Sequence, residues 1–209
     1  MKGALYRVSA RQYLPQDPTG AAGTSEGRWH LMGQRVLYFS SSLALCVLEL
    51  RANAVSFRRM REAYHYCALA VDDVELSHDS ELAAEALYSR DWILDKQPTQ
   101  QYGSDWYGRR NSLVLTVKSA VLPTERNYIV NAAHPRFDSL IFSAPLAIPL
   151  ARISHRLPSR NGPRRRGDKE RDRDRRRRTR QYVEAADRAQ RSIREHLGRC
   201  SRQSMRNAG

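Results

Sequence analysis

The chain of 209 residues holds three cysteines, Cys46, Cys67 and Cys200, with no Cys-x-x-Cys pair and no Cys/His cluster at metal-ligand spacing. That pattern gives no support to a disulfide framework or a metal site; Cys46 and Cys67, set in apolar runs, read as small core residues of a reducing compartment. No G-x-G-x-x-G fingerprint occurs, so nothing marks the usual dinucleotide-binding turn. No segment reaches the ~18 apolar residues of a membrane helix, and the N-terminal MKGALYRVSARQY lacks the apolar stretch of a signal peptide. A cytoplasmic location with no membrane contact is the expectation.

Charge of one sign is also scarce where it would matter. Residues 1–150 carry 16 Lys+Arg against 15 Asp+Glu, whereas residues 151–209 carry 20 against 7. The formal charge of +14 therefore belongs to the tail and says nothing about the partner of the body. Two parts follow: a folded domain over 1–150, and an Arg-rich low-complexity tail over 151–209. The tail has almost nothing apolar to bury, so it is expected to be disordered, or at most an isolated charged helix over 181–197. Tyr182 is its sole interleaved aromatic, which makes nucleic-acid binding through the tail the lesser reading.

What the body does have is a set of short β-rich runs among a few helical stretches. Ala4 to Ser9, Arg35 to Phe39, Tyr64 to Val71, Ser112 to Val117, Tyr128 to Val130 and Leu140 to Phe142 read as strands. Gly33 marks a turn. Ser40-Ser41-Ser42 offers N-caps to a helix over Leu43 to Asn53, apolar on nearly every face and so expected to be central. Helical spacing also covers Glu81 to Trp92 and Pro98 to Arg109, the latter with Thr99 as its cap candidate. Without a regular βαβ rhythm, the prediction is an α+β domain of mixed sheets around a buried helix.

Three residues of this body call for chemistry. Arg28 sits in the glycine-flanked loop Gly27-Arg28-Trp29-His30, Tyr38 closes a strand, and Glu49 lies inside the apolar helix. An unpaired buried carboxylate costs several kcal/mol, so Glu49 is paired, faces a cleft, or is functional. Its structural alternatives are reaching out to solvent and pairing with Arg51 or Arg28; those of Arg28 and Tyr38 are stacking on Trp29 and a plain core position. His30 is placed to line a cleft, and His134, before Pro135, reads as holding a turn. An arginine fork, an aromatic hydroxyl and a carboxylate together suit a diphosphate-bearing ligand with a ribose to hold.

The order GRWH, RVLYFS and SLALCVLEL, followed by TQQYGSDW (99–106), NSLVL (111–115), VKSAVLP (117–123) and NYIVNAAHP (127–135), resembles the RES domain family over nearly all of residues 4–145. The resemblance implies a fold similar to ADP-ribosyltransferases and a toxin of a bacterial toxin–antitoxin pair that destroys NAD⁺. It also implies an Xre-type helix-turn-helix antitoxin as partner, with nucleic acid reached through that antitoxin or weakly through the tail. Carried over by motif, Arg28, Tyr38 and Glu49 fall on active-site positions, and the family serine falls on Ser112 or Ser119. Trp29 and His30 join Arg28 and Tyr38 as candidate NAD⁺ contacts. NAD⁺ would be a substrate rather than a resident cofactor, no metal is implied, and water or inorganic phosphate would be the acceptor. Two alternatives stand beside it: a protein ADP-ribosyltransferase of the same fold, and an inactive nucleic-acid binder working through its tail. The chain departs from the family pattern at Ala132, where a proline is usual, and after Pro145, where a short closing segment gives way to the Arg-rich tail.

Overall fold

The computed structural model describes residues 3–15, 25–71, 76–78, 87–88 and 91–151, together with Arg177, Glu184, Arg191 and Glu195. The chain divides into two units, residues 1–147 and 148–209. In the second, the four residues named beyond 151 are helical and exposed; the expectation of a disordered tail otherwise falls outside the described residues. The first unit is a mixed α+β domain.

Its framework is one sheet. The strands are β1 (Ala4–Ala10), β2 (Val36–Ser40), β3 (Tyr64–Ala70), β4 (Leu76–His78), β5 (Val114–Lys118), β6 (Arg126–Asn131) and β7 (Leu146–Ala147). They lie in the order β4-β5-β6-β2-β1-β3-β7. All neighbours are antiparallel except β4 and β5. Strands at the middle of such a sheet bury both faces, which is why β2, β5 and β6 are apolar runs rather than alternating ones. The alternation is still legible in what each residue packs against. Leu37, Phe39, Val114, Tyr128 and Val130 join Leu5, Cys67 and Leu69 in one core. Val36, Leu115, Val117 and Ile129 point the other way, into a core with Trp29, Trp92 and Trp106. Tyr38 shares that second face, and by the period of two so does Ser40. On β6 the residue in register with Ser40 is Asn127, two positions from Ile129.

Among the described residues, three helices accompany the sheet: α1 (Leu43–Ala52), α2 (Phe57–Ala63) and α3 (Gln97–Arg109). Ser42 caps α1, its side chain accepting the Leu45 N–H at 3.1 Å. The helix expected to be buried all round buries Leu45 and Cys46, while Ala44 and Leu48 are exposed. Its apolar content overstated its burial, because it is held on one side, with the Cys46 thiol donating to the Tyr6 carbonyl of β1. In α3 the cap residue is Lys96, with Pro98 in the first turn. Thr99 is instead fully buried inside that turn, its hydroxyl donating to the Lys96 carbonyl at 2.8 Å.

Leu140 to Phe142 forms no strand: Phe142 makes a single bridge to Leu69, and the pairing with β3 is taken by β7. Short α2 escapes periodicity because FRRMREA carries one buried anchor, Met60, among charges. The helix expected over 81–92 falls mostly outside the described residues. Gly33 adopts a positive φ of 87°, as its turn requires.

Candidate active site

The loop that presents Arg28 is closed on itself by Gly27 and His30, the Gly27 N–H donating to the His30 carbonyl at 3.0 Å. A Cβ on Gly27 would lie 2.4 Å from the His30 ring and 2.9 Å from the Tyr38 hydroxyl, so only glycine fits here. Helix α3 anchors the loop from outside: Gln100 donates to the Gly27 carbonyl at 2.8 Å, and Lys96 pairs with Glu26. The helix approaches so closely that a Cβ on Gly103 would stand 2.1 Å from the Trp29 carbonyl oxygen. Arg28 then reaches across to the turn after Asp91, donating to the carbonyls of Trp92 at 2.8 Å and Ile93 at 2.7 Å. Its guanidinium lies over the Trp92 ring, 5.6 Å from the centroid, rather than over Trp29. Burial lowers its pKa, opposed by the negative charge of Glu49 and by Tyr38 and Asp95; a guanidinium remains charged throughout.

Tyr38 and His30 form one unit. The His30 Nδ1 lies 2.8 Å from the Tyr38 oxygen and its Nε2 3.1 Å from the Ser25 carbonyl. A carbonyl accepts only, so Nε2 carries a proton; in the neutral ring Nδ1 therefore accepts from the tyrosine. The Tyr38 oxygen in turn accepts the Trp29 N–H at 3.3 Å. Burial pushes the phenol far above its ordinary value, against the lowering by the Trp29 N–H and the Arg28 charge, so it stays neutral. The Trp29 ring is turned into the core, edge-on to Tyr88, and is not presented to a ligand.

Glu49 is the half-buried acid of α1. Its Oε1 accepts two hydrogen bonds, from Ser119 Oγ at 2.7 Å and from Asn127 Nδ2 at 2.7 Å. Charge-assisted bonds of this kind hold a carboxylate in one orientation. Among the described residues, Oε2 has no hydrogen-bond partner and Glu49 forms no salt bridge. Arg51 is occupied elsewhere, donating to the Val55 carbonyl and lying over Phe57. Arg28 is a candidate for the balancing charge, since the negative charge of Glu49 raises its pKa.

The two serines separate cleanly. Ser119, just past β5, is fully buried, and its hydroxyl accepts the N–H groups of Val121 at 3.1 Å and Leu122 at 3.0 Å while donating to Glu49. Ser112 accepts the Trp106 indole N–H at 2.8 Å on the far side of β5's start, and no contact joins it to Glu49. His134 takes the Arg136 N–H on Nδ1, a turn contact. The structure thus brings Arg28, Tyr38, His30, Glu49 and Ser119 onto one face and leaves Ser112 and the Trp29 ring in packing positions. Asn127 was not among the residues singled out. The signal for it was an asparagine opening a β-rich run, a residue depleted in strands.

The site thus joins a looped arginine, a half-buried tyrosine and a clamped glutamate on an α+β domain, and comparison with known proteins gives the family. Residues 4–151 match the RES domain family, and the chain belongs to it. Toxin Res of Yersinia enterocolitica is 30% identical over 142 residues, covering 66% of this chain and 90% of that protein. The Prs ADP-ribosylating toxin of a Sphingobium species is 30% identical over 146 residues, covering 65% of this chain and 86% of that one. Among solved structures, the toxin–antitoxin complex MbcT–MbcA of M. tuberculosis matches with a TM-score of 0.58 at 19% identity, over 71% of this chain and 85% of that one. At that identity the likeness concerns the fold.

Proposed function

We propose that this chain is the toxin of a bacterial toxin–antitoxin pair and consumes NAD⁺ by cleaving the bond between nicotinamide and ribose. The observation that carries the reading is the Glu49 carboxylate, fixed through Oε1 by Ser119 and Asn127, with no partner on Oε2 among the described residues, and in electrostatic reach of Arg28. When the C1′–N bond breaks, its electron pair leaves with nicotinamide, whose ring nitrogen becomes neutral, and positive charge develops on the ribose. A carboxylate already oriented toward that charge stabilises it without reorganising, and a neutral leaving group requires no general acid. Arg28 supplies a planar, permanently charged fork for the diphosphate: each terminal nitrogen uses one N–H on a backbone carbonyl and keeps another. Tyr38, neutral and fixed by His30, shapes the wall between the two. Ser119 has its proton committed to Glu49 and both lone pairs to backbone N–H groups, so its role is to hold the acid and not to attack the sugar. Water or inorganic phosphate attacks C1′ and loses a proton, giving ADP-ribose or its 1″-phosphate.

A second reading, transfer of ADP-ribose to a protein, is favoured by the relative whose name is that of an ADP-ribosylating toxin. The two separate when the protein is incubated with NAD⁺ labelled in the adenosine half. Label in free ADP-ribose or its phosphate supports degradation; label on macromolecule with nicotinamide release supports transfer; no nicotinamide from wild-type protein at high concentration refutes both. An antitoxin is the partner expected under either reading, of the Xre helix-turn-helix type; the solved relative was crystallised as a toxin–antitoxin complex. Its test is whether co-expression with a helix-turn-helix protein encoded next to this chain, where the gene's surroundings hold one, yields a complex that suppresses the activity.

A further inference from the structure

Asn127 shares with Ser119 the task of donating to the acid, and its surroundings fix what it does. Glu49 Oε1 can only accept, so the group of Asn127 facing it at 2.7 Å is the amide NH₂. The amide oxygen is then turned toward Ser40, which is buried and donates its hydroxyl proton to Oδ1 at 2.7 Å. Ser40 and Asn127 are register partners across β2 and β6, so two backbones hold this pair rigidly, and a flipped amide would set oxygen against oxygen. Ser119 approaches the same carboxylate oxygen from β5's end. Two neighbouring strands, β5 through the residue just past its end and β6, thus donate to one oxygen of an acid supplied by a helix, and the third, β2, orients one of the two donors.

We propose that Asn127, oriented by Ser40, is a positioning residue of the reaction: with Ser119 it occupies Oε1 and leaves Oε2 as the oxygen presented to the ribose. This rests on the NAD⁺-consuming reading above. Its function differs from that of a packing residue because its donated proton acts on the acid that meets the transition state, so its loss lowers kcat more than it raises KM.

The test uses three variants of the full chain, with nicotinamide release followed against pH and folding checked by melting temperature. Asn127→Ala leaves Ser119 as the single donor, and kcat falls about 10- to 100-fold, as is common for groups one shell out from the chemistry, with KM within about threefold. Asn127→Asp keeps the shape and removes the donor. At neutral pH it sets two carboxylates within hydrogen-bond distance, and activity falls at least as far. As pH drops the pair takes up one shared proton, the introduced carboxyl group becomes a donor again, and kcat recovers toward the wild-type value, giving an acid-shifted profile the wild type lacks. Two neighbouring groups hold one state over that range: Arg28 is always charged, and burial pushes the Cys46 thiol up to about 11. Glu125 is turned to Ser41. Ser40→Ala, which leaves the asparagine in place but unoriented, lowers kcat several-fold in the wild-type background and has no further effect beside Asn127→Ala. Active wild-type protein with Asn127→Ala and Asn127→Asp both at its kcat and pH profile overturns this inference alone. Wild-type protein that releases no nicotinamide removes the functional reading and this inference with it.

Discussion

Helix α3 contains two glycines that make opposite predictions. A methyl group on Gly108 would meet nothing within 4 Å, whereas one on Gly103 would stand 2.1 Å from the Trp29 carbonyl oxygen, 2.8 Å from its carbon and 3.1 Å from its Cα. Alanine is better than glycine in a helix interior by about 1 kcal/mol, so both substitutions gain that term. At Gly108 nothing opposes it, and Gly108→Ala raises stability by roughly 0.5–1 kcal/mol. At Gly103 the neighbour is backbone, which cannot rotate aside, and ordinary contact requires a shift of about 1 Å. Overpacking of this kind typically costs 1–3 kcal/mol, and this clash belongs at the upper end, leaving a net loss of about 1–2 kcal/mol. For a domain of this length the melting temperature should fall by about 2–8 °C. The displaced segment is the one that carries Arg28, His30 and the N–H donated to Tyr38, so activity should fall further than stability. A misplacement near 1 Å can cost about 100-fold in rate. The assay is urea or thermal denaturation of both variants beside nicotinamide release. Equal stabilisation by both substitutions, with activity intact, would refute the close approach of α3 to the arginine loop.

Other predictions follow from the same geometry. Ser119→Ala should lower turnover at least tenfold, removing a donor to Glu49 and the acceptor of two N–H groups. Ser112→Ala, which loses the Trp106 partner, should cost about 1–2 kcal/mol of stability and leave turnover near wild type; equal kinetic losses in the two would contradict the separation of the serines. Stability should decline above about pH 9: burial raises the Cys46 thiol to about 11 and Cys67 to about 12. Below the unfolded thiol value both states are protonated; above it the unfolded chain loses protons the folded one keeps, so each thiol removes up to about 1.4 kcal/mol per pH unit until its folded value is passed. Tyr38, raised in the same direction, adds to the loss above about pH 10. Denaturation midpoints measured from pH 7 to 10.5, with Cys46→Ala showing a shallower slope, check this; a flat profile would contradict the burial of these groups. Deleting residues 156–209 should leave melting temperature and NAD⁺ turnover unchanged, and a large loss in either would show that the tail serves the fold.

The sequence was most informative where burial and secondary structure agree. The runs that became β2, β5 and β6 were visible because strands covered on both faces must be apolar throughout. Glu49 stood out because an acid among Leu, Val and Cys carries a cost that something must offset. The same reasoning overreached for α1, since apolar side chains such as Leu48 are tolerated on a surface and do not prove burial. It could not choose between Ser112 and Ser119, because the choice depends on which end of β5 faces α1. Asn127 and Ser40 were hard to read for a related reason: an asparagine opening a β-rich run is a faint sign and the serine gives none, and their meaning arises from the register that sets them opposite each other. Gly103, a residue that by propensity costs a helix about 1 kcal/mol, is the place where the helix must touch the arginine loop.

The central claim is that Glu49 stabilises the cation formed as nicotinamide departs. The direct measurement is nicotinamide released from NAD⁺ by wild type and by Glu49→Gln, which keeps size and most hydrogen-bonding capacity but not the charge, at matched melting temperature. The account predicts turnover by the wild type and a loss of at least about 100-fold in the variant, with the defect in kcat. Equal nicotinamide release by the two proteins would contradict it.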